Sequence, residues 1–210
     1  MTIDSDVVIA FGSLITAVVL HELAHGFVAF RLGDDTARRA GRLTLNPIKH
    51  LDPFGSVLLP LMGAVSGLPV FGYAKPIPVV PGRLRSPRRD LVLVALAGPA
   101  ANFALASVGV LVARFSFVVV DERSEVSLLT RTGVLFGLVN LFLGLFNLVP
   151  IPPLDGSRIV ERMLPLNWLP QWRRLGQYGF LIVFALVLLG AADHVFTPAV
   201  DRVLAFVQGR

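Results

Sequence analysis

The chain has 210 residues, of which 54% are hydrophobic and 16% are charged, and its mean hydropathy is +0.72. A soluble domain of this size carries more charge, so the composition indicates an integral membrane protein with little room for a soluble domain. The absence of cysteine excludes disulfides, thiolate zinc sites and a cysteine nucleophile, so any metal must be held by histidine and carboxylate side chains.

The charge is basic and unevenly distributed. Arginine and lysine together number 19 against 14 acidic residues, which gives a net charge of +5, and the basic residues gather in short loops. Such loops are typical of membrane orientation, and we prefer this interpretation to nucleic-acid binding. The N-terminus opens with Asp4 and Asp6 rather than with basic residues, so we do not expect a cleavable signal peptide.

The first predicted membrane span, residues 7–30, contains the sequence HELAH at 21–25. Positions four apart lie on one face of a helix, so His21 and His25 can bind one zinc ion from the same side. Glu22 lies beside them, placed to accept a proton from a metal-bound water. Ionisable groups inside an apolar span are costly and usually functional. The alternative is a core helix with two hydrogen-bonded histidines, and a third ligand would decide between the two.

A basic connector and a broken apolar stretch follow. Within the connector, residues 31–53, the sequence RLTLNP alternates apolar and polar residues, which predicts a short strand ending at Pro47. Residues 54–72 are apolar but interrupted by prolines and glycines, so a re-entrant or broken hairpin buried against protein is expected rather than a simple span.

The rest of the chain alternates spans and loops. Further full spans are predicted at 91–113, 132–150 and about 178–200, with loops at 75–90, 114–131 and 151–177. The predicted fold is therefore an all-α polytopic membrane protein with about four full spans. Between the first two spans, at 43–72, we expect the broken hairpin or a small membrane-embedded sheet.

The positive-inside rule orients these spans. The loops at 31–53, 75–90 and 157–177 are basic. If the segment 54–72 enters and leaves on the same side, all three loops lie in the cytoplasm and both termini lie outside. His21 and His25 then lie in the cytoplasmic half of the first span.

Asp155 is predicted to lie at a similar depth, just past the cytoplasmic end of the span 132–150. It can close the ligand set and leave a fourth zinc position for water, as catalytic zinc sites do. The alternative is that Asp155 only caps a turn, since Leu-Asp-Gly is a common turn sequence.

Three motifs follow one another along the chain: His21-Glu22-x-x-His25, Gly98-Pro99-x-x-Asn102 and Asn147-x-x-Pro150-x-Pro152-Pro153-Leu154-Asp155-Gly156. Their order and spacing resemble those of the site-2 protease family of intramembrane zinc metalloproteases. The similarity covers roughly residues 7–165. The linking stretches LNPIKHLDPFG and FGYAKPIPV resemble the short bacterial branch that lacks an added PDZ or CBS domain.

The resemblance implies a site and an activity. His21, His25 and Asp155 would hold one Zn²⁺ per chain, Glu22 would act as general base and later as proton donor, and Asn147 would engage the substrate backbone. The family fold has three core helices with a small membrane-inserted sheet or hairpin after the first. The implied substrate is a transmembrane protein. The Arg-rich, Lys-poor composition with short loops suits a bacterial plasma membrane, and the positive-inside orientation places the active site near the cytoplasmic face.

The chain is expected to be a single peptidase domain, residues 1–210, with its motif core at about 7–165 and an additional C-terminal helix at about 178–200. The sequence leaves the oligomeric state open. A non-cleaving membrane protein that binds clients would not need Glu22. A metal transporter would need ligands leading across the membrane, whereas the candidate ligands form one compact set.

Other polar residues keep two interpretations each. Asn147 is either a substrate contact, which we prefer, or an ordinary polar residue between helices. Asn102 either contacts the metal ligands or bridges helices. Asn46 donates to the oxyanion or caps a turn before Pro47, with equal support. His50 is a gate residue or, as we prefer, a hydrogen-bonded interfacial histidine.

Overall fold

A computed structural model describes residues 5–58, 62, 65, 74–117, 126–190 and 193–209. The described residues are mostly helical. Helices α1, α3 and α4, as labelled below, are long and apolar enough to cross a membrane. In chain order the α-helices include α1 (Ser5–Arg31), α2 (Thr36–Arg39), α3 (Pro87–Phe115), α4 (Leu128–Asn147), α5 (Ser157–Met163), α6 (Leu169–Leu188) and α7 (Asp193–Gln208).

The chain divides into two compact units. The first unit is Val18–Gly98, and the second unit combines Met1–Ala17 with Pro99–Arg210. In the first unit, a small apolar core forms around Ala29, Leu84 and Val94. This core packs the end of α1 against the beginning of α3, which positions the candidate site.

The turn after α1 is fixed by a buried carboxylate. Gly33 adopts a left-handed conformation with φ 111°, which ends the helix and turns the chain. Asp34, which follows, is fully buried and accepts hydrogen bonds from the Thr36 N–H at 3.0 Å, the Thr36 hydroxyl and the Val80 N–H at 2.6 Å. A single side chain therefore ties the connector after α1 to a segment nearly fifty residues further along the chain.

Glycines allow close helix packing in the second unit. An ideal Cβ on Gly109 of α3 would lie 2.7 Å from the backbone nitrogen of Gly137 of α4, and one on Gly133 would lie 2.8 Å from Ala113 N. Because any side chain would force the backbones apart, small residues allow the tight contact that membrane-length helices need.

Helices α5 and α6 are joined by an ion-pair cluster. The buried Glu161 accepts from Arg158 Nη1 at 2.7 Å and from Arg173 Nε at 2.8 Å. Burial opposes ionisation of Glu161, but the hydrogen bonds and charges of the two arginines outweigh it and hold its pKa below the usual glutamate value. This cluster lies within residues 151–177, so the predicted loop contains helical structure.

The predicted strand ending at Pro47 is wrong. Residues 43–45 form a bend, and a 3₁₀ helix follows at Pro47–His50. Asn46 begins that helix because its side-chain oxygen accepts from the Ile48 N–H at 3.0 Å, and this local cap outweighs the alternating pattern. Pro53–Leu58 forms a π-helix. Most of the remaining predicted hairpin, at 59–61, 63–64 and 66–73, lies outside the described residues.

The predicted span at about 178–200 is not one helix. The structure has α6 and α7 there, and Gly190 beyond the end of α6 has φ 74°. A left-handed glycine commonly ends a helix, so the apolar run is divided at this point. Within the described residues, three helices rather than the predicted four are long and apolar enough to span a membrane.

The buried Asp34 predicts a specific pH dependence of stability. Burial opposes its ionisation, but hydrogen bonds from Thr36 and Val80 and the charge of Arg83 favour it, so its pKa lies below the usual 3.8. The unfolded chain therefore takes up the proton first as the pH falls. The stabilisation from Asp34 is complete above pH 3.8 and is lost as the pH falls through the folded-state pKa.

We expect Asp34→Asn to lower the free energy of unfolding by about 2–3 kcal/mol at neutral pH, because an amide leaves buried donors poorly paired. Thermal unfolding is measured in detergent between pH 7 and 3. The stability difference between Asp34→Asn and the wild type should shrink only at the acid end of this range. Asp35→Asn is the control, because this half-buried neighbour pairs with the surface arginines Arg39 and Arg83. A stability difference between Asp34→Asn and the wild type that stays constant at every pH would contradict the lowered pKa of Asp34.

Candidate metal centre

His21 and His25 meet on one face of α1, as their spacing predicts. Both are buried, at 6% and 8% exposure, and their Nε2 atoms lie 2.9 Å apart. The rings meet edge to face at a centroid distance of 4.5 Å. Two histidine nitrogens bound to one tetrahedral zinc ion lie about 3.3 Å apart, so this pair fits a shared metal with a small adjustment.

The orientation of His25 is fixed from α3. Its Nδ1 lies 2.7 Å from the backbone carbonyl oxygen of Val94. A carbonyl oxygen only accepts, so Nδ1 carries the proton and Nε2 presents its lone pair toward His21. Metal-binding histidines commonly donate their second nitrogen to a carbonyl in this way. No local sequence pattern indicates this contact, because it joins residues 69 positions apart.

Gly98 provides the space for both rings. An ideal Cβ at this position would lie 2.5 Å from His21 Cε1 and 2.5 Å from His25 Nε2. A side chain at this position would clash with both rings at those distances. Glycine therefore allows α3 to pack directly against the histidine pair. The sequence placed Gly98 in the second motif but did not show that it faces the imidazoles.

Glu22 lies beside the pair and is half-buried. Its Oε2 accepts a hydrogen bond of 2.8 Å from the backbone N–H of Ile77. The candidate base is therefore held by the main chain of a different segment. The first unit thus brings together His21, Glu22 and His25, three of the four residues predicted to carry the chemistry.

Asp155 lies in the second unit, on the turn between α4 and α5. The turn is tight, because the Gly156 N–H donates to the Asn147 carbonyl at 2.7 Å and a Cβ on Gly156 would lie 2.1 Å from Leu148 O. Helix α5 begins after Gly156, which has no side chain that could cap it.

Asn147 and Asn102 also lie in the second unit. The Asn147 side-chain amide donates to Leu143 O at 2.9 Å within its own helix. Asn102 is fully buried and donates to Asn140 Oδ1 at 2.9 Å and to Ala17 O at 3.4 Å, so it bridges three helices. Asn140 was not singled out from the sequence, although a polar residue in the middle of an apolar span is a usable signal.

Asn46 and His50 have structural contacts in the first unit. Asn46 is exposed and caps the 3₁₀ helix at Pro47–His50, which was one of its two interpretations. His50 is buried at 1% exposure, and its Nε2 lies 2.8 Å from Thr44 O. The structure therefore gives each of them a local backbone partner.

A histidine pair and a glutamate, set in one membrane-length helix and shaped by a glycine, define a membrane-embedded metallopeptidase site. The chain belongs to Peptidase family M50, whose family model matches residues 9–190. The family resemblance drawn from the motifs is confirmed.

Two relatives named "Putative zinc metalloprotease" are similar over most of the chain. YwhC of Bacillus subtilis is 40% identical over 196 residues, covering 90% of this chain and 84% of that protein. Rip2 of Mycolicibacterium smegmatis is 33% identical over 197 residues, covering 93% of this chain and 69% of that protein. Among solved structures, the site-2 protease from Methanocaldococcus jannaschii is similar with a TM-score of 0.46 and 22% identity, covering 96% of this chain and 76% of that one.

The contact between Gly98 and the imidazoles predicts the effect of a single methyl group. We expect Gly98→Ala to weaken zinc binding about 10–100-fold, because the new Cβ displaces both rings. Elemental analysis of detergent-purified protein after dialysis against a zinc chelator measures this weakening as a lower zinc content. Gly12→Ala is the matched control, because a Cβ at Gly12 of α1 would meet no atom within 4 Å. A Gly98→Ala protein with wild-type zinc content would show that the rings do not need this space.

Proposed function

We propose that this chain hydrolyses peptide bonds in or near the transmembrane segments of membrane proteins, using one zinc ion bound by His21, His25 and Asp155. The chain is an integral membrane metallopeptidase of family M50. The observation that carries the proposal is the pair of histidine nitrogens 2.9 Å apart with Glu22 on the same helix.

Asp155 is proposed as the third zinc ligand. The chain has no cysteine, so a third protein ligand must be a histidine or a carboxylate. Asp155 lies in the third motif of the family and on a turn held by the Gly156–Asn147 hydrogen bond. Three protein ligands leave one position for water, which is the arrangement of a catalytic site.

The residues of the chain then have defined roles. When bound, zinc supplies a Lewis acid that lowers the pKa of a water molecule toward 7. Glu22 accepts the proton of the attacking water and passes it to the leaving amine. His25 keeps its ligand nitrogen in place through the Val94 carbonyl. Asn147 engages the substrate backbone beside the scissile bond, and Asn46 remains a candidate donor to the oxyanion.

The membrane placement follows the distribution of charge. We place the basic connectors in the cytoplasm, both termini outside and the active site near the cytoplasmic face of a bacterial plasma membrane. Water then reaches the site from the cytoplasm. Residues 1–210 act as one peptidase domain whose substrate is a transmembrane protein, with the lipid bilayer as its other partner and no nucleic acid.

Glu22→Gln tests the mechanism. The amide keeps the size of the side chain but cannot accept the proton, so we expect cleavage to fall by about 10²–10⁴-fold with zinc content unchanged. The assay uses a tagged single-span model protein whose apolar segment carries a central Gly-Pro break, with products identified by mass spectrometry. Full activity of this variant would rule out Glu22 as the base. Zinc binding without cleavage of any substrate by the wild type would instead favour a client-binding protein.

Asp155→Ala tests the ligand set. We expect about one zinc per wild-type chain and a loss of most of it in the variant, because two imidazoles alone bind zinc much more weakly than three ligands. Elemental analysis of both proteins in the same detergent provides the measurement. Asp201→Ala removes an exposed carboxylate from α7 and should keep the wild-type zinc content. Retention of zinc without Asp155 would mean that the third ligand is a different residue.

A further inference from the structure

The segment 75–80 carries the hydrogen-bond donor that holds the candidate base. Its sequence is Lys-Pro-Ile-Pro-Val-Val. Because proline has no backbone N–H, Ile77 is the one residue of positions 76–78 that can donate a backbone hydrogen bond. That N–H binds Glu22 Oε2 at 2.8 Å. The Ile77 side chain also lies against α1, since a Cβ on Gly26 would be 2.9 Å from its Cδ1.

Arg42 holds this segment immediately before Ile77. Its Nη2 donates to Lys75 O at 2.7 Å and to Pro76 O at 3.5 Å. The residue is only 7% exposed, and its buried Nε has no hydrogen-bond partner among the described residues. Burying a guanidinium group costs several kcal/mol unless strong contacts offset it. Such a residue is unusual in a connector that only needs to link two helices.

The same segment is fixed at two further points. The Lys75 N–H donates to His50 O at 2.9 Å, and the Val80 N–H donates to the buried Asp34 carboxylate at 2.6 Å. A buried cation therefore holds the residues before Ile77, and a buried anion holds the residue three positions after it. The position of the Ile77 N–H depends on both.

We propose that Arg42 is a positioning residue for the peptidase reaction. By binding the Lys75 and Pro76 carbonyls, it sets the Ile77 N–H at the distance and angle that orient the Glu22 carboxylate. Arginine suits this role because its planar, rigid group presents donors in fixed directions, whereas lysine is a flexible point charge. The inference rests on the proposed role of Glu22 as the general base.

The test compares Arg42→Met, Arg42→Lys and Arg39→Met with the wild type. Arg39 is the matched control, because it belongs to the same connector but its side chain is 70% exposed and pairs with Asp35. Each protein is purified in detergent, and its zinc content, thermal unfolding, kcat and KM are measured with the tagged single-span model protein described above.

We expect Arg42→Met to lower kcat about 10–100-fold, because a misplaced catalytic group commonly has effects of this size. Zinc content should stay at the wild-type level and KM within about twofold. Arg42→Lys should recover part of the lost kcat, and Arg39→Met should behave as wild type. A merely structural role would instead lower zinc content and thermal stability together, without a selective loss of kcat.

Unchanged kcat in Arg42→Met would overturn the inference, as would a loss of kcat that parallels a loss of zinc. If Arg42→Met does not fold, Arg42→Lys decides: a lower kcat with normal zinc and KM supports the role, and a wild-type kcat contradicts it. Glu22→Gln separates this inference from the proposed function. An active Glu22→Gln protein refutes the general base itself, whereas an inactive one beside a fully active Arg42→Met protein refutes only the role of Arg42.

Discussion

The approach of two imidazole nitrogens to 2.9 Å inside an apolar helix is the constraint on which the first unit depends. With the proton of His25 directed at Val94 O, the two Nε2 atoms need a shared proton or a metal ion between them. Gly98 must pass directly over them, because any larger residue would collide with both rings. The contact between α1 and α3 in this unit is therefore dictated by the site as much as by the apolar core around Ala29 and Val94.

Three charged side chains in the first unit share one arrangement: each binds the main chain of another segment. Glu22 binds Ile77 N, Asp34 binds Val80 N, and Arg42 binds the Lys75 and Pro76 carbonyls. These contacts compensate for the lost hydration and simultaneously fix a proline-rich segment that lacks regular secondary structure. The chain thus uses charged side chains to hold a backbone where helix or sheet hydrogen bonds cannot.

The sequence predicted what local rules determine. Helical period alone placed His21 and His25 on one face, and apolar length alone located the spans corresponding to α1, α3 and α4. It failed where one short-range contact outweighs a pattern, as at the Asn46 cap and at the left-handed Gly190. It could not show that Val94 orients His25, that Asn140 pairs with Asn102, or that Arg42 holds Lys75, because those contacts join segments 33–69 residues apart.

The turn that carries Asp155 is also held by main-chain contacts, although it is not part of a helix. A ligand on a loop is precise only if the loop itself is held. Here the Asn147 carbonyl accepts from Gly156, and the missing side chain of Gly156 allows the turn to close against Leu148. Asp155 lies between these fixed points, so the carboxylate starts from a restricted backbone and loses little conformational freedom when it binds. Gly156 therefore supports the proposed ligand Asp155, because its missing side chain allows the tight turn that restricts the Asp155 backbone.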